Sequence, residues 1–285
     1  MTISVDQAPP HAIAVPAHPD PVGTSLARRR LAMVAHQVRY DTLALVRNPT
    51  AQGFAFGMPI AFLVLFVAIF GNGTMHVDGH AVKGSTYYVA ALTVFAIVDV
   101  AFMAMVIAMV ERREHGVLRR RRATPQPAWT VIAGTAITSI MSGAVSAALL
   151  LAVGRLAYGA TVAPAAVPAL LVAVAVGVVV FCALGFAVAG LIKSFDSAQP
   201  VVTALALPLM FISGVFIPWG IIPHWLQQVS GVFPVRPLAV AILDPYLAHH
   251  GAGGWSASSY AVLAAWGLAG VVVAVRRFGW APRDV

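Results

Sequence analysis

Residues 129–192 read WTVIAGTAITSIMSGAVSAALLLAVGRLAYGATVAPAAVPALLVAVAVGVVVFCALGFAVAGLI and carry one charge, Arg155. A helix that crosses the hydrocarbon of a bilayer needs about 20 mostly apolar residues. This stretch supplies two such helices, Trp129–Val153 and Val167–Ile192, with a short hairpin around Arg155, Tyr158, Gly159 and Pro164 between them. Backbone groups in lipid must be hydrogen-bonded within their own segment, so uninterrupted apolar runs of this length predict helices. The ten-residue alternation of a transmembrane β-strand is absent.

Working outward, four more runs meet the same criterion. Residues 53–70 (GFAFGMPIAFLVLFVAIF) are wholly apolar, and 87–110 are apolar except for Asp99. Residues 198–217 contain Pro200 and Pro208, and 258–275 close the set. The prediction is an all-α integral membrane protein with six spans over residues 24–277, a disordered tail at 1–23 and a short C-terminal tail at 278–285. Residues 1–23 have no apolar core of signal-peptide length.

Composition agrees. Hydrophobic residues make up 60% of the chain and charged residues 10%, with mean hydropathy +0.85. Soluble domains carry roughly 25% charged residues, so most of this surface faces lipid. The net charge of +8 sits in short clusters between apolar runs, a pattern that encodes membrane topology rather than nucleic-acid binding. With the N-terminus inside, fifteen of the 18 Lys and Arg fall on the cytoplasmic side; Lys83, Arg155 and Arg236 remain outside. Both termini are therefore expected in the cytoplasm of a bacterial cell, which requires an even number of spans. The lone Cys182 lies inside a span and supports neither a disulfide framework nor a thiolate metal site.

Three segments are not spans. Residues 24–48 place Leu31, Val34, Val38 and Leu45 at helical spacing with Arg28, Arg29, Arg39 and Arg47 largely between them, as in a helix lying in the cytoplasmic interface. Residues 111–127 (ERREHGVLRRRRATPQP) combine topology-setting arginines with Glu111, Glu114, Gly116 and a stop at Pro125. This is the grammar of a short, rigid, charged helix suited to docking on a soluble partner. Residues 218–255 hold five prolines and Trp219, Trp225 and Trp255, which predicts short helices dipping back into the outer leaflet.

In order and spacing, these features resemble the ABC-2 type permease family, exporters that include daunorubicin-resistance permeases. The resemblance rests on the N-terminal helix ending in Arg47-Asn48-Pro49, on Glu111-Arg112-Arg113-Glu114-His115-Gly116 with Thr124-Pro125, on Ser213-Gly214-Val215-Phe216-Ile217-Pro218, and on Ile222-Pro223-His224-Trp225-Leu226 followed by Pro234 and Pro237. It implies an amphipathic elbow helix, a coupling helix after span two and re-entrant helices before span six. Glu111, Arg112, Arg113, Glu114, Gly116 and Pro125 then form the ATPase-coupling element, and Gly214, Pro218, Pro223 and Trp225 belong to a re-entrant outer gate. It further implies two permease protomers, identical or sister chains, with two copies of a cytoplasmic ATPase subunit. Asp99 and the heavy basic run Arg119–Arg122 depart from the family pattern.

No phosphate-binding loop G-x-x-x-x-G-K-[ST] is present, and Lys193-Ser194 lacks the preceding glycines. Neither a catalytic site, a metal site nor a cofactor is expected on this chain; ATP and Mg belong to the partner subunit. His76 and His80 near Asp78 lack a third metal ligand and read as a solvated loop. Asp99 is the one acid inside a span, where a charge is costly. It is either a cation- or drug-binding acid or proton-linked switch, or a hydrogen-bond partner of Thr93, Thr135, Thr138 or Ser139. The leading function is export of an amphipathic or lipophilic compound; the alternatives are glycan export and a proton-coupled secondary transporter using Asp99.

Overall fold

The computed structural model describes residues 26–77, 80–114, 129–247 and 254–277. It begins with α1 (Leu26–Val46), followed by a short turn and α2 (Gly53–Phe70). A hairpin of β1 (Thr74–Val77) and β2 (His80–Lys83) leads into α3 (Gly84–Glu114). Then come α4 (Trp129–Tyr158), α5 (Val167–Leu191) and α6 (Phe195–Ile212). Two short helices, α7 (His224–Val232) and α8 (Val235–Leu247), bend by 97° against each other before α9 (Ala257–Arg277). Among the described residues six helices are long and apolar enough to cross a membrane: α2, α3, α4, α5, α6 and α9. The chain is an all-α integral membrane protein with one small hairpin.

Burial sorts the spans into two classes. The most apolar windows of α3 and α5 are 72% and 56% buried, against 17–22% for the other four. These two helices form the centre, and the other four leave most of their surface uncovered by the rest of the protomer. Lipid tails are as apolar as leucine, so close packing rather than water exclusion holds such helices together. Small residues make that possible: Ala90, Ala96 and Ala101 of α3 and Ala173 and Ala189 of α5 are all buried. The helix α9 comes close to α5, where a Cβ on Gly270 would lie 3.1 Å from the backbone of Ala183 and Leu184.

Several boundaries differ from the sequence expectation: the third span, expected to end at Val153, runs on to Tyr158, and the second and fifth differ for physical reasons. The second span reaches Glu114 instead of Val110. Its 31 residues, at 1.5 Å rise each, extend about 46 Å across a hydrocarbon layer of about 30 Å. The last charged turn therefore projects beyond the apolar layer. The fifth span runs over Phe195–Ile212 rather than 198–217. It ends in a Schellman motif: Gly214 has φ +82° and the Val215 amide donates to the Met210 carbonyl at 3.2 Å. The first connecting loop, expected to be solvated coil, is an antiparallel hairpin with Thr74 opposite Lys83 and His76 opposite Ala81.

The helix α1 packs on α4, where Gln37 fills the space over Gly134. The tails and most of the expected coupling helix, including Gly116 and Pro125, lie outside the described residues.

Candidate substrate groove and its two ends

One face of α2 carries Phe54, Met58, Phe62, Phe66 and Phe70, one residue in every four. Together with Phe95, Asp99 and Met103 of α3 and Leu207, Met210 and Phe211 of α6, this stripe lines a groove of about 710 Å³. Phe216, just past the Gly214 turn, closes one end. Its ring lies 5.6 Å from Phe95, 5.9 Å from Phe66 and 5.2 Å from Phe211. Such tilted and edge-on rings offer flat apolar surface and negative π faces to a ligand. The only other polar lining comes from Gln199 and Thr203 on α6.

Asp99 is the single charged residue lining the groove and is half-buried. It sits in a π-helical turn, Val98–Ala104, where the helix accommodates a wider loop of backbone. Such turns are rare and concentrate at functional sites. Among the described residues no side chain hydrogen-bonds or ion-pairs with Asp99, so the four hydroxyls expected as partners do not hold it. Thr93 Oγ1 instead donates to the Val89 carbonyl at 2.7 Å, and Thr135 Oγ1 accepts from Arg112 at 2.7 Å. Thr138 Oγ1 is buried without a partner. Thr135, Thr138, Ser139 and Ser142 line a separate polar cavity of about 390 Å³ that borders the neighbouring face of α3 at Val100 and Ala104.

At the arginine-rich end of α3, the four expected coupling residues that are described divide by direction. Glu111 is exposed and borders the polar cavity. Arg112 pairs with the buried Asp41 of α1 at 3.0 Å, and Gln37 Nε2 donates to the same carboxylate at 2.8 Å, tying the first helix to the second span. Arg113 is 2% exposed; its guanidinium donates to the carbonyls of Ala189 at 3.0 Å, Ile192 at 2.5 Å and Lys193 at 3.3 Å. The Glu114 carboxylate accepts from the Phe195 amide. Arg112, Arg113 and Glu114 thus reach inward to other helices.

At the opposite end, Tyr87 Oη donates to the Gly214 carbonyl at 2.5 Å and accepts from the Trp219 amide at 3.2 Å. The buried Arg236 of α8 places its guanidinium 3.2 Å from the centre of the Trp219 ring. Of the expected gate residues, Gly214 belongs to this knot and the Pro218 carbonyl accepts from Ile221 in the turn beside it. The Pro223 carbonyl accepts from Leu226 and Gln227 and starts α7, while Trp225 is 66% exposed and outside the knot. The sequence reading named Trp219 only as one of the outer-leaflet tryptophans and Arg236 only as an outer-side charge, and gave Tyr87 no role. A lone arginine among the apolar residues 235–243 was the available signal, as the four-residue aromatic stripe was for the groove.

Comparison with curated proteins gives no match. A family model described as ABC-2 type transporter matches residues 36–246, which include the inward-reaching arginines, the groove helices and the Gly214 knot. With that match over well beyond half its length, the chain belongs to the ABC-2 type transporter family and is a membrane permease subunit of an ABC transporter.

Proposed function

We propose that this permease exports lipophilic or amphipathic cations, a class that includes many drugs and antibiotics, with energy from ATP hydrolysed on a separate cytoplasmic subunit. The observation that carries the reading is the groove: about 710 Å³, walled by aromatic rings and methionines, with Asp99 as its one charged lining residue. Aromatic faces and a fixed carboxylate are complementary to a cation whose charge is spread inside an apolar shell. A transported glycan would call for polar lining throughout, and this groove offers little beyond Gln199 and Thr203.

In this reading the arginine-rich end faces the cytoplasm of a bacterial cell, in keeping with the bias of Lys and Arg toward that side. Two permeases, identical or sister chains, join two ATPase subunits. Glu111 at the end of α3 and the segment after it, with Gly116 and Pro125, meet the ATPase, and the knot of Tyr87, Gly214, Trp219 and Arg236 closes the outer end of the groove. The test is reconstitution of the permease with its ATPase subunit in proteoliposomes. ATP-dependent movement of tetraphenylphosphonium from the ATPase side is the expected result. Movement driven by a pH gradient without the ATPase would replace this reading by proton-coupled transport through Asp99.

A further inference from the structure

An α-helix ends with up to four carbonyls lacking intrahelical donors, and the next begins with up to four unbonded amides. The macrodipole makes the first end negative and the second positive. Between α5 and α6 these opposite ends meet across the tight turn Ile192–Ser194. Within the turn, Ser194 at the N-cap of α6 makes no side-chain cap; its hydroxyl donates to Ser197 Oγ at 3.0 Å, the Ser197 hydroxyl donates to the Ser194 carbonyl at 2.8 Å, and Asp196 stands in the first turn of α6. Two consecutive residues at the end of α3 do the capping from a distance. The cation Arg113 lies on the carbonyls of Ala189, Ile192 and Lys193, and the anion Glu114 on the Phe195 amide. Each charge meets the helix end of opposite sign.

The geometry points to Arg113 and Glu114 as positioning residues that make the α5–α6 turn the receiver of motion from the coupling loop. This deepens the exporter reading and rests on it. The pair are the last residues of α3, directly before the loop. Any rotation or shift of that root must carry the turn along or break charge-assisted bonds to both helices. The α6 helix then delivers the motion: Gln199 is one helical turn past Phe195, and Gln199, Thr203 and Leu207 wall the groove at successive turns. The route runs from loop to turn to groove wall without crossing the Asp99 face of α3. Glu114 therefore acts as a hydrogen-bond acceptor for the Phe195 amide within its own chain.

The test uses the full permease–ATPase complex with Thr203→Cys in a Cys182→Ala background, so that α6 carries the sole permease thiol. The readout is the rate of modification by a membrane-permeant maleimide, with and without ATP plus vanadate. The parent complex should show a nucleotide-dependent change in rate. Glu114→Ala, at an exposed position, should shrink that change about fivefold, the scale of a lost helix cap. Glu114→Gln, whose amide oxygen still accepts from Phe195, should stay near the parent, and the ATPase should co-purify with all three. If Glu114→Ala responds like the parent, or Glu114→Gln loses as much as Glu114→Ala, the clamp is overturned while the exporter reading stands. If the parent complex itself shows no nucleotide-dependent change, or retains no ATPase, the exporter reading fails and the clamp with it.

Discussion

Replacing Asp99 by asparagine keeps the shape of the side chain and removes the one charge lining the groove. Its effect on a bound cation follows from Coulomb's law. The phenyl shell of tetraphenylphosphonium keeps the phosphorus about 6 Å from the carboxylate, where the attraction is about 0.7 kcal/mol in water and about 3 kcal/mol at an effective dielectric constant of about 20. Asp99 is half-buried and faces aromatic rings on one side only, which places the site between these limits. A value of about 1.4 kcal/mol corresponds to a Kd about tenfold weaker in Asp99→Asn. Equilibrium dialysis of the detergent-solubilised permease measures it directly, with triphenylphosphine oxide as an uncharged control. The control should bind both proteins alike. Equal weakening of both probes would mean that the substitution deforms the groove, and unchanged cation binding would mean that the ligand sits elsewhere; either refutes the charge argument.

Other perturbations test the framework. Arg113→Met leaves the buried carbonyls at the end of α5 without their donors and should cost about 3 kcal/mol, read as a lower unfolding midpoint by tryptophan fluorescence. Gly270→Val presses methyl groups onto the backbone of Ala183 and Leu184 and should destabilise by about 1–3 kcal/mol; an unchanged midpoint would show that α5 and α9 are not packed this tightly. Tyr87→Phe removes the hydroxyl that joins Gly214 to Trp219, and exchange of the Trp219 amide should quicken about tenfold, from a bond worth about 1 kcal/mol and the loosened turn around it. A cysteine at Asn72 should react with an impermeant maleimide added to intact cells, and one at Arg276 only after permeabilisation. The reverse pattern would invert the proposed orientation.

Bilayer thickness made the six spans legible, because it demands apolar runs of one length whatever packs against them. The helix ends were harder to read. The last turn of α3 looks like loop, since Glu111-Arg112-Arg113-Glu114 is wholly charged; it stays helical with partners at Asp41, Ala189 and Phe195, far away in sequence. Asp78-Gly79 between two four-residue runs is a strong hairpin signal that the histidines on either side obscured. The Phe and Met stripe of α2 was visible at every fourth position. Its closure by α6 and Phe216 depends on the Gly214 turn and on neighbours more than a hundred residues away. Asp99 stood out from sequence alone, but its direction did not, because the π turn changes which face it occupies.

The polar cavity beside Val100 gives that direction a consequence. The same helix borders both spaces on neighbouring faces, the aromatic groove at Phe95, Asp99 and Met103 and a hydroxyl-lined cavity of about 390 Å³ at Val100 and Ala104. Such a space, with several donors and acceptors on its walls, has room for about a dozen waters. Water held there would lie beside the face of α3 next to that of Asp99, so the middle of this span borders polar space as well as aromatic rings. Such polar surroundings lower the cost of carrying an acid in the middle of a span.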